Sequence, residues 1–192
     1  MTVQYYISTW LFALFILLVA GRTIAMRHKG IRAFVFGATD KSDFLLIPCI
    51  MLIVYTIIAR TFGLPMWEPL VMPFWNTHIF GWVGIALCTV AVGGIAASLI
   101  SFGNSFRIGI DEKEPDKLIT TGMFAFSRNP IYVCFILFFF GMFLIHRNIV
   151  ITSWLIFFTL IIHRQILREE RFLSSHYGTD YDDYCRKVRR YL

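Results

Sequence analysis

Two glutamates, Glu169-Glu170, stand just beyond the last apolar run of this chain, and Arg128-Asn129-Pro130-Ile131-Tyr132 opens the run before it. Charged groups beside hydrocarbon are costly unless they pair or hold a polar ligand. Neighbouring residues on a helix point about 100° apart. One glutamate can therefore face inward while the other caps or pairs with an arginine. Arg164, Arg168 and Arg171 lie at helical pairing distance, so surface ion pairs are one reading of the pattern. A carboxylate reserved for a cationic or hydroxyl-bearing ligand is the other. In the upstream motif Pro130 suits the first turn of a helix, where its missing N–H costs nothing. Asn129 then falls at the N-cap, where its side chain is able to satisfy an exposed backbone amide. Tyr132, one turn in, brings its hydroxyl to the membrane boundary, as an interfacial tyrosine would in any case.

The elements that must position these groups are apolar helices. The chain has 192 residues, 57% hydrophobic and only 16% charged, with a mean hydropathy of +0.66. Soluble domains are nearer half apolar and a quarter charged. Tyr5–Ala20, Phe44–Ala59, Phe74–Ile100, Ile131–Ile145 and Ile149–Ile162 are long runs nearly free of charge. Since roughly 20 helical residues cross a bilayer core, we expect an all-α polytopic membrane protein of five spans, the last two short. His146-Arg147-Asn148 leaves these two almost no loop, so they form a tight hairpin whose feet bring the two polar motifs together. No basic residue precedes the first run, which reads as a retained span and not a cleaved signal.

Sixteen Lys and Arg fall in the first loop, the third loop and the tail, against Arg60 and Arg147 on the other side. The positive-inside rule puts the N-terminus outside and the C-terminus in the cytosol. The net charge of +6 is thus a topology signal, and no soluble basic surface suggests nucleic acid as a partner. Cys49, Cys88, Cys134 and Cys185 have no metal-ligand or redox spacing, and no metal is expected.

The whole chain, 1–192, reads as one membrane domain. Residues 1–100 hold three spans, and 101–192 hold a polar loop, the hairpin and a cytosolic C-terminal segment. The loop Phe62–Pro73, with three prolines and Trp67, suggests an extended segment anchored at the interface. Gly93-Gly94 with Ala91, Ala96 and Ala97 give the third span a small-residue face, open to another helix or to a ligand. Leu118–Phe124 is an apolar stretch able to wall a pocket. The fifth helix is expected to continue past the membrane through Ser175 and stop at Gly178. Asp180 is a candidate cap for a last amphipathic helix, whose Tyr177, Tyr181, Tyr184, Val188 stripe packs on the membrane or the protein.

The pentapeptide, apolar hairpin, Glu169-Glu170 and the following Leu173, Tyr177-Gly178, Tyr181, Tyr184, Val188 and Arg190 together resemble the signature of integral-membrane methyltransferases. That group includes the isoprenylcysteine carboxyl methyltransferases and the phospholipid N-methyltransferases. The five-span layout most resembles the prokaryotic isoprenylcysteine type. The resemblance implies S-adenosylmethionine bound at the cytosolic end of the hairpin and released as S-adenosylhomocysteine. It assigns Asp116, Lys117, Leu118, Ile119 and Phe124 to a segment wrapping that cofactor, followed by Asn129, Pro130, Ile131 and Tyr132, with Glu169 and Glu170 at its polar end. The implied acceptor is the carboxylate of a prenylated cysteine, which enters from the bilayer, with Asn129 and Tyr132 at the reacting centre.

Two positions depart from that pattern. Asn129-Pro130 stands where the carboxyl methyltransferases have His-Pro, and is closer to the phospholipid enzymes. Gln165 stands where the family has a substrate-steering arginine, so Arg164 or Arg168 would take that part. A phospholipid or lipid-amine N-methyltransferase is the alternative. An amine must first lose a proton, and His163 is the best-placed acceptor. An NADPH-dependent sterol-type reductase resembles the hairpin and tail as well, but needs more spans. A non-catalytic membrane scaffold is the remaining reading. Methyl transfer from a sulfonium is an in-line displacement, so the protein chiefly positions and desolvates its reactants.

Overall fold

The computed structural model describes residues 2–28, 46–75, 77–102 and 118–192. Among them all regular secondary structure is helical: α1 (Thr2–His28), α2 (Leu46–Phe62), α3 (Glu68–Val71), α4 (His78–Phe102), α5 (Pro130–His146), α6 (Ile149–Tyr177) and α7 (Thr179–Lys187), with a 3₁₀ turn at Gly122–Ala125. Three of these helices, over Val3–His28, His78–Phe102 and Ile149–Tyr177, are long and apolar enough to cross a membrane, while Ile47–Phe62 and Pro130–His146 are shorter apolar helices. The last long helix runs unbroken past its apolar run to Tyr177 and stops at Gly178, as expected, and Glu169 and Glu170 lie on it.

Glycine sets the closest packing. A Cβ added to Gly84 of α4 would lie 2.5 Å from the carbonyl oxygen of Gly141 on α5, and one on Gly141 would lie 2.7 Å from that of Gly84. Two backbones in contact leave room for no side chain between them. Lower on the same seam a Cβ on Gly94 would meet Cys134 Sγ at 2.5 Å, whereas Gly93 has open space. The small-residue face of α4 therefore seats a helix. Aromatic rings fill the rest of the core: Phe15 of α1 stacks on Phe138 of α5 at 4.5 Å, and Phe139 meets Phe158 of α6 edge-on at 4.8 Å. Such pairs contribute roughly 0.5–1.5 kcal/mol each beyond their buried area.

Three local expectations change. The segment after α2 is not wholly extended: Pro69 sits in the first turn of α3, a single helical turn. Asp180 does not cap α7. The N-cap is Gly178, at φ 53°, and Asp180 lies in the first turn, where a carboxylate still favours the helix dipole. Asn129 occupies the N-cap of α5, but its side chain makes no capping bond. At the other end of α5, Arg147 takes the left-handed conformation (φ 51°, ψ 34°) and Asn148 caps α6 by accepting from Ile151 N at 3.0 Å.

Candidate active site

Helices α5 and α6 are joined by two residues, and their far ends meet. Asn129 donates through Nδ2 to Glu170 Oε1 at 3.2 Å, and Tyr132 donates through its hydroxyl to Glu169 Oε1 at 2.6 Å. One turn of α5 spaces Asn129 from Tyr132, so consecutive residues of α6 each find a partner on it. Both motifs singled out by residue type thus converge.

Glu170 is 8% exposed, and both of its oxygens are taken from within the chain. Arg128 Nη2 stands 3.4 Å from Oε1, while Arg190 approaches Oε2 through Nε and Nη2, each at 2.8 Å. A buried carboxylate survives only when paired and hydrogen-bonded, and this one is held by two guanidinium groups and an amide. The bond to Glu170 keeps Arg190 more firmly protonated than usual, although burial works against it. Glu169 is half-buried, and Gln165 Nε2, one turn back on α6, adds a second donor to Oε1 at 2.9 Å.

The C-terminal stretch of chain after α7 is stitched to the start of α5. Arg128 N donates to Arg189 O at 3.0 Å, and Asn129 Nδ2 and Ser127 Oγ reach Arg190 O at 3.2 and 3.4 Å. From α7, Tyr181 and Tyr184 are buried against the protein, and the Tyr184 hydroxyl donates to Phe124 O at 2.7 Å. Burial, partly offset by Arg128, pushes Tyr184 up to about 12. Tyr181 is raised as well, first by burial and then by Glu170. Both phenols therefore stay neutral, and Tyr184 serves as a structural donor. Arg128 also donates to Cys185 Sγ, giving that thiol a neighbour invisible in the sequence.

An apolar cavity of about 200 Å³ lies between α1, α2, α5 and α6, walled by Phe12, Phe15, Ile53, Phe135, Phe158 and Ile162 among others, and it reaches the ring of Tyr132. Tyr132 accordingly has its ring in a hydrocarbon chamber and its hydroxyl on a carboxylate. Among the described residues, it joins the two environments by contacts on both sides.

The other expected site residues are spread around this centre. Pro130 and Ile131 are buried in the first turn of α5, and Leu118 and Ile119 are half-buried ahead of the 3₁₀ turn. Phe124 is buried edge-on against Phe102 at 4.6 Å. Asp116 and Lys117 lie outside the described residues. Arg164 is exposed and Arg168 half-buried on α6, and Arg171 bonds back to Leu167 O at 3.1 Å. His163 is exposed, with Nδ1 2.5 Å from the Tyr191 hydroxyl. Sequence reasoning missed Arg128 and Arg190 as the partners of Glu170, and Gln165 as a donor to Glu169. The signal was available, since a buried carboxylate demands cations, but several arginines competed for the role.

S-adenosylmethionine carries a sulfonium, an ammonium, a carboxylate and ribose hydroxyls. The donor set suits these groups: Glu169 offers a carboxylate for the cationic or hydroxyl groups, and Arg128 Nε is a buried donor with no partner among the described residues.

The family whose model matches this chain is described as phospholipid methyltransferase, and the match spans residues 77–180, more than half of the sequence. The chain is also similar to the nickel-cobalt-cadmium resistance protein NccN of Alcaligenes xylosoxydans xylosoxydans, at 26% identity over 108 residues, covering 56% of this chain and 50% of that protein. The matched part is thus about half the length of that relative. No solved structure matches.

Proposed function

The chain belongs to the phospholipid methyltransferase family, a membrane methyltransferase, and from that premise we propose that it methylates the polar head of a lipid-tailed acceptor with S-adenosylmethionine. The observation that carries this reading is Tyr132, which walls the apolar cavity with its ring and bonds Glu169 with its hydroxyl. A hydrocarbon tail lies in the cavity, and its head emerges beside Tyr132, Glu169 and Gln165.

The bound cofactor supplies a methyl group on a positively charged sulfur. Glu169 holds its cationic end together with Tyr132 and Gln165, and Arg128 takes its carboxylate. Glu170 shapes the site through Asn129, Arg128 and Arg190, and Pro130 and Ile131 fix the first turn that carries Tyr132. Leu118, Ile119 and Phe124 wall the cofactor from the loop side. These side chains exclude water and hold the reactants in line.

An amine head fits this centre best, because the polar group at the cavity's end is a carboxylate and attracts an ammonium. His163, bonded to Tyr191, takes the proton that the amine must lose. A prenylcysteine carboxylate is the second reading, favoured by the half-buried Arg168 one turn beyond Arg164. The two readings separate on the product, a base-stable N-methyl group or a base-labile methyl ester.

The shorter helices α2 and α5 complete five spans, since about 17 residues are enough to cross a thin core. The bias of Lys and Arg supports an N-terminus outside, and with it a Glu169 end that faces the cytosol. Titration calorimetry of the detergent-purified chain with S-adenosylhomocysteine tests the reading. We expect binding that Glu169→Gln weakens; a folded protein that binds none of it contradicts the proposal.

A further inference from the structure

We propose that the end of the bundle opposite Glu169 and Glu170 is a binding site for a phosphate group, held by Arg60 and Arg147 with further donors from the α5–α6 turn. This inference stands apart from methyl transfer, because α5 separates the two ends by about 25 Å at 1.5 Å per residue.

Tyr5 of α1 organises the cluster. Its ring stacks on His146 at 5.2 Å, the Arg60 guanidinium lies over the same ring at 5.2 Å, and Arg60 Nη2 donates to its hydroxyl at 2.9 Å. His146 also contacts Ser8 Oγ through Nε2 at 3.2 Å and stands in the field of both Arg60 and Arg147. The next two residues complete the turn: Arg147 Nη1 donates to Thr77 O at 2.5 Å, and Arg147 O accepts from Phe74 N at 2.8 Å.

Two features point to an anionic ligand. His146, Arg147 and Asn148 are each at most 1% exposed. Yet Arg60 Nε, Trp75 Nε1, His146 Nδ1, Arg147 Nε and Asn148 Nδ2 are buried with no partner among the described residues. Apart from the imidazole nitrogen, all of these are donors only. In addition, α1, α2, α4 and α5 contain no aspartate or glutamate. The acid nearest in sequence, Glu68 of α3, is exposed, and no ion pair joins it to either arginine among the described residues.

Two guanidinium groups with no counter-charge are unfavourable in a low-dielectric interior. Donors arriving from α2, the α3–α4 link and the α5–α6 turn suit an oxyanion with several acceptor oxygens, and guanidinium forks match phosphate geometry. Arg60 is half-buried and marks the side from which the ligand enters. The phosphate can be carried by a lipid headgroup or be the free ion.

Thermal unfolding of the full chain in maltoside detergent tests the site. The probes are dioctanoyl phosphatidylglycerol, its phosphate-free counterpart dioctanoylglycerol, and inorganic phosphate, with chloride matching ionic strength. We expect phosphatidylglycerol to raise the midpoint and dioctanoylglycerol to leave it unchanged. Asn148→Asp keeps the oxygen that caps Ile151 and sets a carboxylate beside the arginines. It should raise the midpoint without ligand and abolish the response. Arg60→Gln should weaken the apparent affinity about tenfold, as expected for removing one charge-assisted hydrogen bond. An equal rise with inorganic phosphate assigns the free ion, and a rise with the lipid alone assigns a headgroup; both support the site. No rise with either probe, or an undiminished response in either variant, overturns it.

Discussion

The two ends of α5 are built from the same kinds of residue and solve opposite problems. At its N-terminal end, Glu170 is buried but met by Arg128, Arg190 and Asn129, while Glu169 meets Tyr132 and Gln165. At its C-terminal end Arg60 lies over Tyr5, Tyr5 stacks on His146 and Arg147 follows in the turn, with no carboxylate in α1, α2, α4 or α5. One end is electrostatically closed around a core pair and offers a second carboxylate, bonded to the tyrosine that walls an apolar cavity. The other carries positive charge that nothing in the described chain balances. The difference separates a charge that holds a structure together from a charge that is placed to meet a ligand.

Removing the closed pair should have the largest effect. Glu170→Ala strands Arg128 and Arg190, and breaking a buried pair costs about 3–5 kcal/mol. Arg190 is 38% exposed, so water screens its share and the lower figure, about 3 kcal/mol, is expected. Denaturant unfolding in detergent measures it. Glu169→Gln probes the other carboxylate. On the proposed function it should lower methyl transfer by roughly a hundredfold, since a neutral amide would replace the carboxylate proposed to hold the cofactor's cationic end, while unfolding shifts by less than about 1 kcal/mol. Equal effects of the two variants on stability would erase the distinction between the glutamates.

Smaller changes sharpen the picture. Gly84→Ala drives a methyl into the Gly141 carbonyl, and overpacking of this kind costs about 1–3 kcal/mol in stability. Tyr132→Phe keeps the cavity wall and removes the bond to Glu169, so activity should fall several-fold, about 1 kcal/mol, with tail affinity preserved. KM against kcat for acceptors of different tail length separates these two contributions.

The smallest effect concerns pH. Tyr184 is raised from 10.0 to about 12 by burial, so the unfolded chain releases this proton first. Its contribution to stability is complete below about pH 10 and declines as pH climbs toward 12. Tyr184→Phe should be less stable by about 1 kcal/mol at neutral pH, for want of the bond to Phe124, and should not show that part of the alkaline decline. Unfolding midpoints of parent and variant across alkaline pH check this.

Much of the site was legible in the chain because the signals were local. A proline in a first turn, a two-residue link and a helix long enough to continue past Ile162 together bring Asn129 and Tyr132 to Glu170 and Glu169. What was not legible depends on docking over long separations. Arg190 reaches Glu170 only because the segment after α7 lies along Ser127–Asn129, and nothing in residue type distinguishes it from Arg164, Arg168 or Arg171. The cavity was equally hidden: a helix apolar on every face, such as α5, gives no stripe from which to read which side meets a neighbour. The seam from Gly84 to Gly141 needed the crossing of α4 and α5, although Gly94 was readable from its small-residue context. His146-Arg147-Asn148 read as a turn, and its charge became informative only beside α1, α2, α4 and α5, none of which carries an acid.

The proposed function rests on Glu169 and Tyr132 joining a cofactor site to a lipid-tail cavity. It is tested most directly by incubating the chain, reconstituted in phospholipid vesicles, with S-adenosylmethionine labelled in its methyl group. Base-stable label is expected in the lipid fraction with the parent protein, and roughly a hundredfold less with Glu169→Gln. No label in any lipid-tailed acceptor, or equal labelling by the variant, would contradict it.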